Sequence, residues 1–279
     1  MIVDAHHHVW DPSRADYPWM TGPYEPVRRP FAPADLAPHL AATGTEATVV
    51  VQARMALDET HDLLAAAAAT PFIRGVVGWV DLTDPAVGET IGALRHMPGG
   101  DRLVGIRHQV HDEADPNWLG REDVRRGVRA VGEAGLVYDL LVRTRELPAA
   151  LEIARALPDQ RFVIDHVAKP PIRDGVLQPW ADRIAAFAGL AHVACKVSGL
   201  VTEADWERWQ PSDLTPYVDH VLAVFGPRRL LFGSDWPVCL LAASYDRVLA
   251  VAHETMQGLS DAAGTAVFGG NATDLYRLR

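Results

Sequence analysis

Eight short apolar stretches recur along the chain, and each is followed by a longer segment with helical spacing. The stretches are Ile2–Ala5, Ala47–Gln52, Ile73–Val80, Leu103–His108, Val137–Val142, Arg161–Asp165, Val193–Ser198 and Leu230–Asp235. They run almost continuously apolar rather than alternating, which suits strands buried on both faces of a parallel sheet. The segments between them predict helices over Pro33–Thr43, Leu57–Thr70, Asp84–Met97, Glu122–Ala134, Arg145–Leu157, Gln178–Leu190, Ser212–Phe225 and Ser244–Gln257. Asp84-Pro85 offers a cap followed by a first-turn proline, and Gly135 offers a stop after Ala134. Eight strand–helix alternations predict an α/β fold, a single (β/α)8 TIM barrel in which residues 1–279 form one domain. The alternative is an open doubly wound sheet. Its nucleotide-binding versions are excluded, because no GxGxxG or GxxxxGK follows a strand.

One connection is much longer than the others. Val9–Ala32 carries Trp10, Tyr17, Trp19, Tyr24 and Phe31 among five prolines. A loop of that length in a compact fold is usually functional or disordered, and its aromatic content predicts a packed, functional one.

In a barrel of this kind, chemistry gathers at the C-terminal ends of the strands. The first strand ends in Asp4-Ala5-His6-His7-His8. Residues two apart on an extended segment share a face, so His6 and His8 should point into the barrel while His7 points away. The fourth strand ends in Arg107-His108, the sixth in Asp165-His166 and the eighth in Ser234-Asp235-Trp236. His6, His8, His108, His166 and Asp235 are therefore expected to converge as the catalytic group. Gln52, Arg107, Trp236 and Arg29 are expected to bind substrate, although a regular strand would turn Arg107 away from the side that His108 faces. Neutral imidazoles and a carboxylate in this arrangement can hold a divalent metal or hydrogen-bond a substrate oxygen. The residues of a metal site would be His6, His8, His166 and Asp235. No GxSxG elbow, HExxH or CxxC is present, which argues against a serine triad and a zinc-protease helix.

Composition narrows the partners. The chain has 26 Lys+Arg against 36 Asp+Glu, a formal charge of −10. That acidic balance disfavours nucleic acid and anionic membranes. The longest unbroken apolar run, Leu63–Ala69, is far below the roughly 18 residues needed to span a bilayer. No signal peptide is visible, and the only cysteines are Cys195 and Cys239, so a cytoplasmic location is expected. An oligomer is left open.

The residues at the strand ends also form a familiar set. His6-x-His8, DHVAKP at Asp165–Pro170, KVSGL at Lys196–Leu200, GSDWPV at Gly233–Val238 and the closing GGNATDLYRL together resemble the amidohydrolase-related barrel hydrolases. The opening DAHHHVWDPSRADYPWM, together with GIRHQVHDEADPNWL and SGLVTEADW, resembles the sugar-lactonase branch typified by L-fuconolactonase and L-rhamnono-lactonase. The resemblance implies hydrolysis of a sugar 1,4-lactone, of the L-fucono or galactono type, to its aldonic acid. It also implies active-site places for His6, His8, His166 and Asp235. Asp235 would activate water, the histidines would stabilise the carbonyl oxygen, and His108 would orient water or protonate the leaving oxygen. The fourth strand lacks a bridging Lys or Glu and the fifth lacks a His, so a two-metal centre is not expected. The cofactor expectation is none, or one weakly bound zinc-like ion. Two other readings remain. One is a related hydrolase or decarboxylase acting on a pyrone or aromatic carboxylate, which should want more strand-end arginines. The other is a non-catalytic barrel that binds a sugar acid.

Overall fold

The computed structural model describes residues 1–279. Eight parallel strands follow one another around a single sheet: β1 Ile2–His7, β2 Thr45–Val51, β3 Ile73–Gly78, β4 Leu103–His108, β5 Val137–Leu140, β6 Phe162–Ile164, β7 Val193–Val197 and β8 Leu230–Phe232. The last strand returns to the first. His7 bridges Trp236, the His8 amide donates to the Trp236 carbonyl at 2.7 Å, and the Asp235 amide donates to the His6 carbonyl at 2.8 Å. The barrel is thus closed by the backbone of the two segments predicted to carry chemistry.

Outside the strands lie helices α1 Pro33–Thr43, α2 Leu57–Ala69, α3 Val87–Arg95, α4 Glu122–Glu133, α5 Leu147–Ala156, α6 Trp180–Ala185, α7 Leu200–Glu203, α8 Pro211–Phe225 and α9 Tyr245–Thr255. All eight expected strands and eight expected helices are present, with two shortened helices. The Asp84 carboxylate accepts from the Ala86 amide at 2.8 Å and closes a turn of its own, so α3 starts at Val87 instead of after Asp84. Residues 178–190 hold only the six-residue α6, followed by turns. Gly135 does end α4: it takes φ +74°, and the Leu136 amide reaches back to the Val131 carbonyl.

The hydrophobic pattern does not predict the C-terminal element. Helices α10 (Asp261–Thr265) and α11 (Asn271–Tyr276), joined by a wide turn at Ala266–Gly270, fold under the N-terminal end of the barrel. Ala272 and Tyr276 pack there against an inner layer that includes Val3, Ala5, Val49, Val77, Val137 and Val163. The opposite end is the mouth. No helix is long and apolar enough to cross a membrane.

The long connection 9–32 is ordered, as expected from its aromatics. Its ends pair, with Trp10 and Phe31 exchanging backbone hydrogen bonds at 3.0 and 2.9 Å. Trp10, Tyr17 and Phe31 are buried, and the Trp10 indole donates to the carbonyls of Val27 and Arg29. The loop is a packed flap at the mouth.

Close backbone packing makes one test of this architecture simple. A Cβ at Gly127 of α4 would lie 2.2 Å from the Leu82 carbonyl oxygen in the loop before α3. Gly127→Ala should therefore lower stability by about 1–3 kcal/mol, read as a lower urea midpoint at unchanged slope. An unchanged midpoint would mean that α4 does not sit on that backbone.

Candidate active site

The phase of β1 decides which histidines enter the barrel. Val3 and Ala5 belong to the inner layer, so a regular strand would send His7 inward. A bulge intervenes. Asp4 is paired with Thr48 but His7 with Val50, three steps on β1 against two on β2. The extra residue reverses the alternation. His7 turns outward to Thr48 Oγ1 at 2.9 Å, and His6 and His8 turn in.

Two other site residues sit on strained backbone. His166, Val167, Ala168 and Lys169 take φ values of 50°, 46°, 60° and 49°, and Asp235 takes 58°. Left-handed conformation costs a residue with a side chain roughly 1–2 kcal/mol. The turn is held by the Trp180 indole donating to the Val167 carbonyl at 2.7 Å and by Lys169 pairing with Glu203 at 2.5 Å. Two glycines leave the room. A Cβ at Gly199 would lie 2.7 Å from His166 Nδ1, and one at Gly233 would lie 2.7 Å from His6 Cβ.

The result is three imidazoles around one carboxylate oxygen. Asp235 Oδ1 lies 3.4 Å from His8 Nε2 and 3.9 Å from both His6 Nε2 and His166 Nε2. His8 Nδ1 donates to the Val51 carbonyl at 2.7 Å, which leaves a lone pair on Nε2 facing Asp235. His166 Nδ1 meets Ser198 Oγ at 2.9 Å. An imidazole anchored through one nitrogen and open at the other is the arrangement of a metal ligand. The groups His6–His8–Asp235 and His6–Asp165–His166 are each close enough to share an ion. Both contain His6, so the donors fit at most one ion that uses it.

Beneath the histidines lies a sealed ladder of charge. Lys196 Nζ donates to Asp139 Oδ2 at 2.6 Å and stands 3.0 Å from Asp165 Oδ1. Arg107 Nη1 donates to Asp165 Oδ2 at 2.9 Å and to His6 Nε2 at 3.2 Å. From below, the Tyr276 hydroxyl donates to Asp139 Oδ2 at 2.7 Å. Sequence reasoning gives Asp139, Lys196 and Tyr276 no part in the site. For Asp139 and Lys196 the only signal is a charged residue breaking a short apolar run.

This environment sets the protonation states. Burial, with Lys196 adding to it, pushes His6 well below its ordinary value. Burial lowers His166 to about 4. Burial alone would raise Asp165, but Lys196, His6 and Arg107 outweigh it and hold the carboxyl well below the usual range. Burial would raise Asp235 too, and His166, His8 and Lys169 together bring it below its ordinary value. Near neutrality Asp235 is thus an ionised carboxylate, with His6 and His166 neutral beside it.

Above these groups is a cavity of about 140 Å³, lined in part by His8, Arg107, His166 and Asp235. Trp19 and Tyr24 of the flap close one side of it. Four expectations need correction. His108 does not join the site: it stacks on Trp118 at 4.0 Å, accepts from the Trp79 indole and pairs with Glu113 at 2.7 Å. Its neighbour Arg107 points inward instead, because the pleat of β4 allows only one of the two to do so. Gln52 does not line the cavity; it is buried and donates to the Arg107 carbonyl. Trp236 is packed edge-on against Phe31, and Arg29 lies over the face of the same ring at 3.9 Å. Conversely, Arg143, Lys169 and His111 do line the cavity; Lys169 and His111 lie within DHVAKP and GIRHQVHDEADPNWL, but sequence reasoning gives none of the three a part in the site.

Comparison with known proteins extends this picture. Residues 3–278 match the family described as amidohydrolase. An L-fucono-1,5-lactonase from Burkholderia multivorans is 40% identical over 287 residues, covering 99% of this chain and 96% of that protein. An L-fucono-1,5-lactonase from Burkholderia ambifaria is 39% identical over 283 residues, covering 99% and 95%. The crystal structure of an amidohydrolase from Burkholderia multivorans with bound zinc superposes with a TM-score of 0.94 at 40% identity, covering 100% of both chains.

Burial makes the histidine states checkable without any substrate. His7 is lowered to about 3, His111 to about 2 and His166 to about 4, chiefly by burial. All three rings should give neutral-imidazole ¹⁵N shifts at pH 6. A titration of any of them near the ordinary value of about 6.5 would contradict the sealed geometry.

Proposed function

Because the chain belongs to the amidohydrolase family, we propose that it is a hydrolase that opens a sugar lactone to its aldonic acid, with residues 1–279 acting as one domain around one site. The observation that carries this reading is the ionised Asp235 carboxylate facing a small cavity among three buried histidines and a buried arginine. The two lactonases at 40% and 39% identity support the substrate class.

In this reading Asp235 takes a proton from a water held against the lactone carbonyl carbon. The hydroxide adds, and negative charge develops on the carbonyl oxygen. Arg107 faces that charge inside a site with little water, where a fixed donor acts most strongly. Collapse breaks the ring C–O bond, and protonated Asp235 returns the proton to the leaving ring oxygen. That last role passes to Asp235 because His108 is turned away from the cavity. His6, His8, His166 and Asp235 are the residues that would hold one zinc-like ion, which when bound supplies a Lewis acid for the carbonyl. Trp19 and Tyr24 offer faces for the sugar ring.

Ring size is the finer point. The resemblance pointed to a 1,4-lactone, whereas the names of both lactonase relatives carry the 1,5 form. We favour the six-membered 1,5-lactone on that support. One observation favours a second reading: Arg143 and Lys169 join Arg107 on the cavity wall, giving a dicarboxylate more cations than strand ends alone suggested.

A panel of neutral 1,4- and 1,5-aldonolactones and a pyrone dicarboxylate, followed by proton release, separates these readings. The proposal expects kcat/KM of at least about 10⁴ M⁻¹s⁻¹ on one neutral 1,5-lactone. Brisk turnover of the pyrone alone would transfer the site to the second reading. Asp235→Asn should lower turnover on the order of 10²–10⁴-fold with the fold intact. The pH profile carries its own sign: Asp235 is held below its ordinary value and His166 near 4, so kcat/KM should stay level between pH 5 and 8 and fall only in more acidic solution. A half-point between pH 6 and 7 would instead implicate an ordinary histidine.

A further inference from the structure

Strand β2 ends at Val51 and α2 begins at Leu57, and between them the chain turns at the mouth of the barrel. One side chain grips two consecutive peptide units of this turn. Glu59 Oε2, on the first turn of α2, accepts from the Ala53 amide at 3.0 Å and from the Arg54 amide at 2.9 Å. Neither amide has a backbone partner. The carbonyls of the same two peptide units carry site residues. The Gln52 carbonyl accepts from Arg107 Nη2. The Ala53 carbonyl accepts from the Trp19 indole at 2.8 Å and from the Gln109 side-chain amide at 3.3 Å. Arg107, Trp19 and Gln109 all line the cavity.

A trans peptide is planar, with its N–H and C=O pointing in opposite directions. Fixing the amide of such a unit therefore aims its carbonyl. Fixing two in succession aims two carbonyls, one at the guanidinium and one at the aromatic wall. The chain of bonds also reinforces itself, because an acceptor on the N–H polarises the carbonyl of the same unit. Glu59 is 3% exposed, and its Oε1 has no partner. A buried oxygen left unserved works against stability, so packing alone gives no account of a carboxylate here. The two aimed carbonyls do. Burial lifts the Glu59 carboxyl to about 7. Because Oε2 serves both amides, a proton on Oε1 leaves the grip unchanged, in keeping with the level pH profile expected above.

We propose that Glu59 is a positioning residue of the hydrolytic site: through the 52–53 and 53–54 peptide units it holds Arg107 against the carbonyl oxygen of the substrate and Trp19 against its ring. The identity of that substrate rests on the lactone reading above; the grip itself does not. Glu59 forms no ion pair, and the Arg54 guanidinium goes to Asp58 at 2.8 Å instead. Its action thus depends on reach and acceptor geometry rather than on charge. Gln at this position loses the charge but keeps an oxygen within reach of both amides. Asp keeps the charge but withdraws it by one methylene.

Hydrogen exchange on the whole chain tests the grip without substrate. Glu59→Asp should speed exchange of the Ala53 and Arg54 amides and of the Trp19 indole N–H at least ~10-fold, and Glu59→Gln should leave all three within ~3-fold of the wild type. Faster amides beside an unchanged indole would reduce Glu59 to a local structural bond and overturn the proposal. On the lactone turned over fastest in the panel above, Glu59→Asp should lower kcat at least ~10-fold through Arg107 and raise KM at least ~3-fold through Trp19. Glu59→Gln should stay within ~3-fold of the wild type in both. Trp19→Phe keeps the ring and removes the donor, so it should raise KM alone, and adding it to Glu59→Asp should raise KM no further. Wild-type constants in Glu59→Asp, or losses in Glu59→Gln equal to those in Glu59→Asp, would overturn the proposal while leaving the lactone reading intact. Should Glu59→Asp fail to fold, Glu59→Gln decides, and a loss of exchange protection or of turnover there sinks the assignment. A chain that opened no lactone would defeat the lactone reading, and the exchange rates would then decide the grip by themselves.

Discussion

The site rests on two carboxylates and two cations sealed inside the barrel, Asp139, Asp165, Lys196 and Arg107. The first three are fully buried and Arg107 is nearly so. Any one of them alone would be costly in such surroundings, by several kcal/mol even after relaxation. Together they are neutral, and each strand from β4 to β7 contributes or leads into one member. Removing one partner leaves an unpaired buried charge, typically a loss of about 3–5 kcal/mol. The ladder also orients what lies above it, because Arg107 and Lys196 both end on His6.

Around that ladder the backbone departs from regularity only where a functional side chain is aimed. The bulge in β1 turns His6 and His8 inward. The left-handed run from His166 to Lys169 and the left-handed Asp235 bring the other two groups to the same point. Such conformations persist only where neighbours over-determine them. Here the neighbours are the barrel closure itself, the Trp180 indole and glycines that leave space for the imidazoles. The closure of the barrel and the geometry of the site are one set of hydrogen bonds, so neither can shift alone.

The histidines are therefore less alike than their adjacency suggests. His7 is structural, bonded to Thr48 outside the barrel. His8 keeps an open nitrogen beside Asp235. His6 is enclosed by charge on both sides of its ring. Burial keeps His6 and His166 neutral, which leaves Asp235 as an anion beside them and Arg107 as a fixed cation.

Strand and helix order was legible in the chain because doubly buried parallel strands write themselves as uninterrupted apolar runs, and eight of them alternate with helical spacing. The pairing of His6 with His8 on one face was legible too, since it follows from local geometry alone. The direction in which a strand's side chains point was not. Whether Arg107 or His108 enters the barrel depends on the phase of the pleat, and that phase is set by neighbouring strands. The β1 bulge is equally invisible, being a mismatch of register between two strands. Gln52, Trp236 and Arg29 were placed by nearness in sequence, and packing drew each into other contacts. Asp139, Lys196 and Tyr276 come from β5, β7 and the last helix, and a charge inside an apolar run has no meaning until its counter-charge is known. Local pattern determined which elements form; only closure of the barrel decided which polar groups meet, because buried charges are tolerable solely in company that arrives from distant parts of the chain.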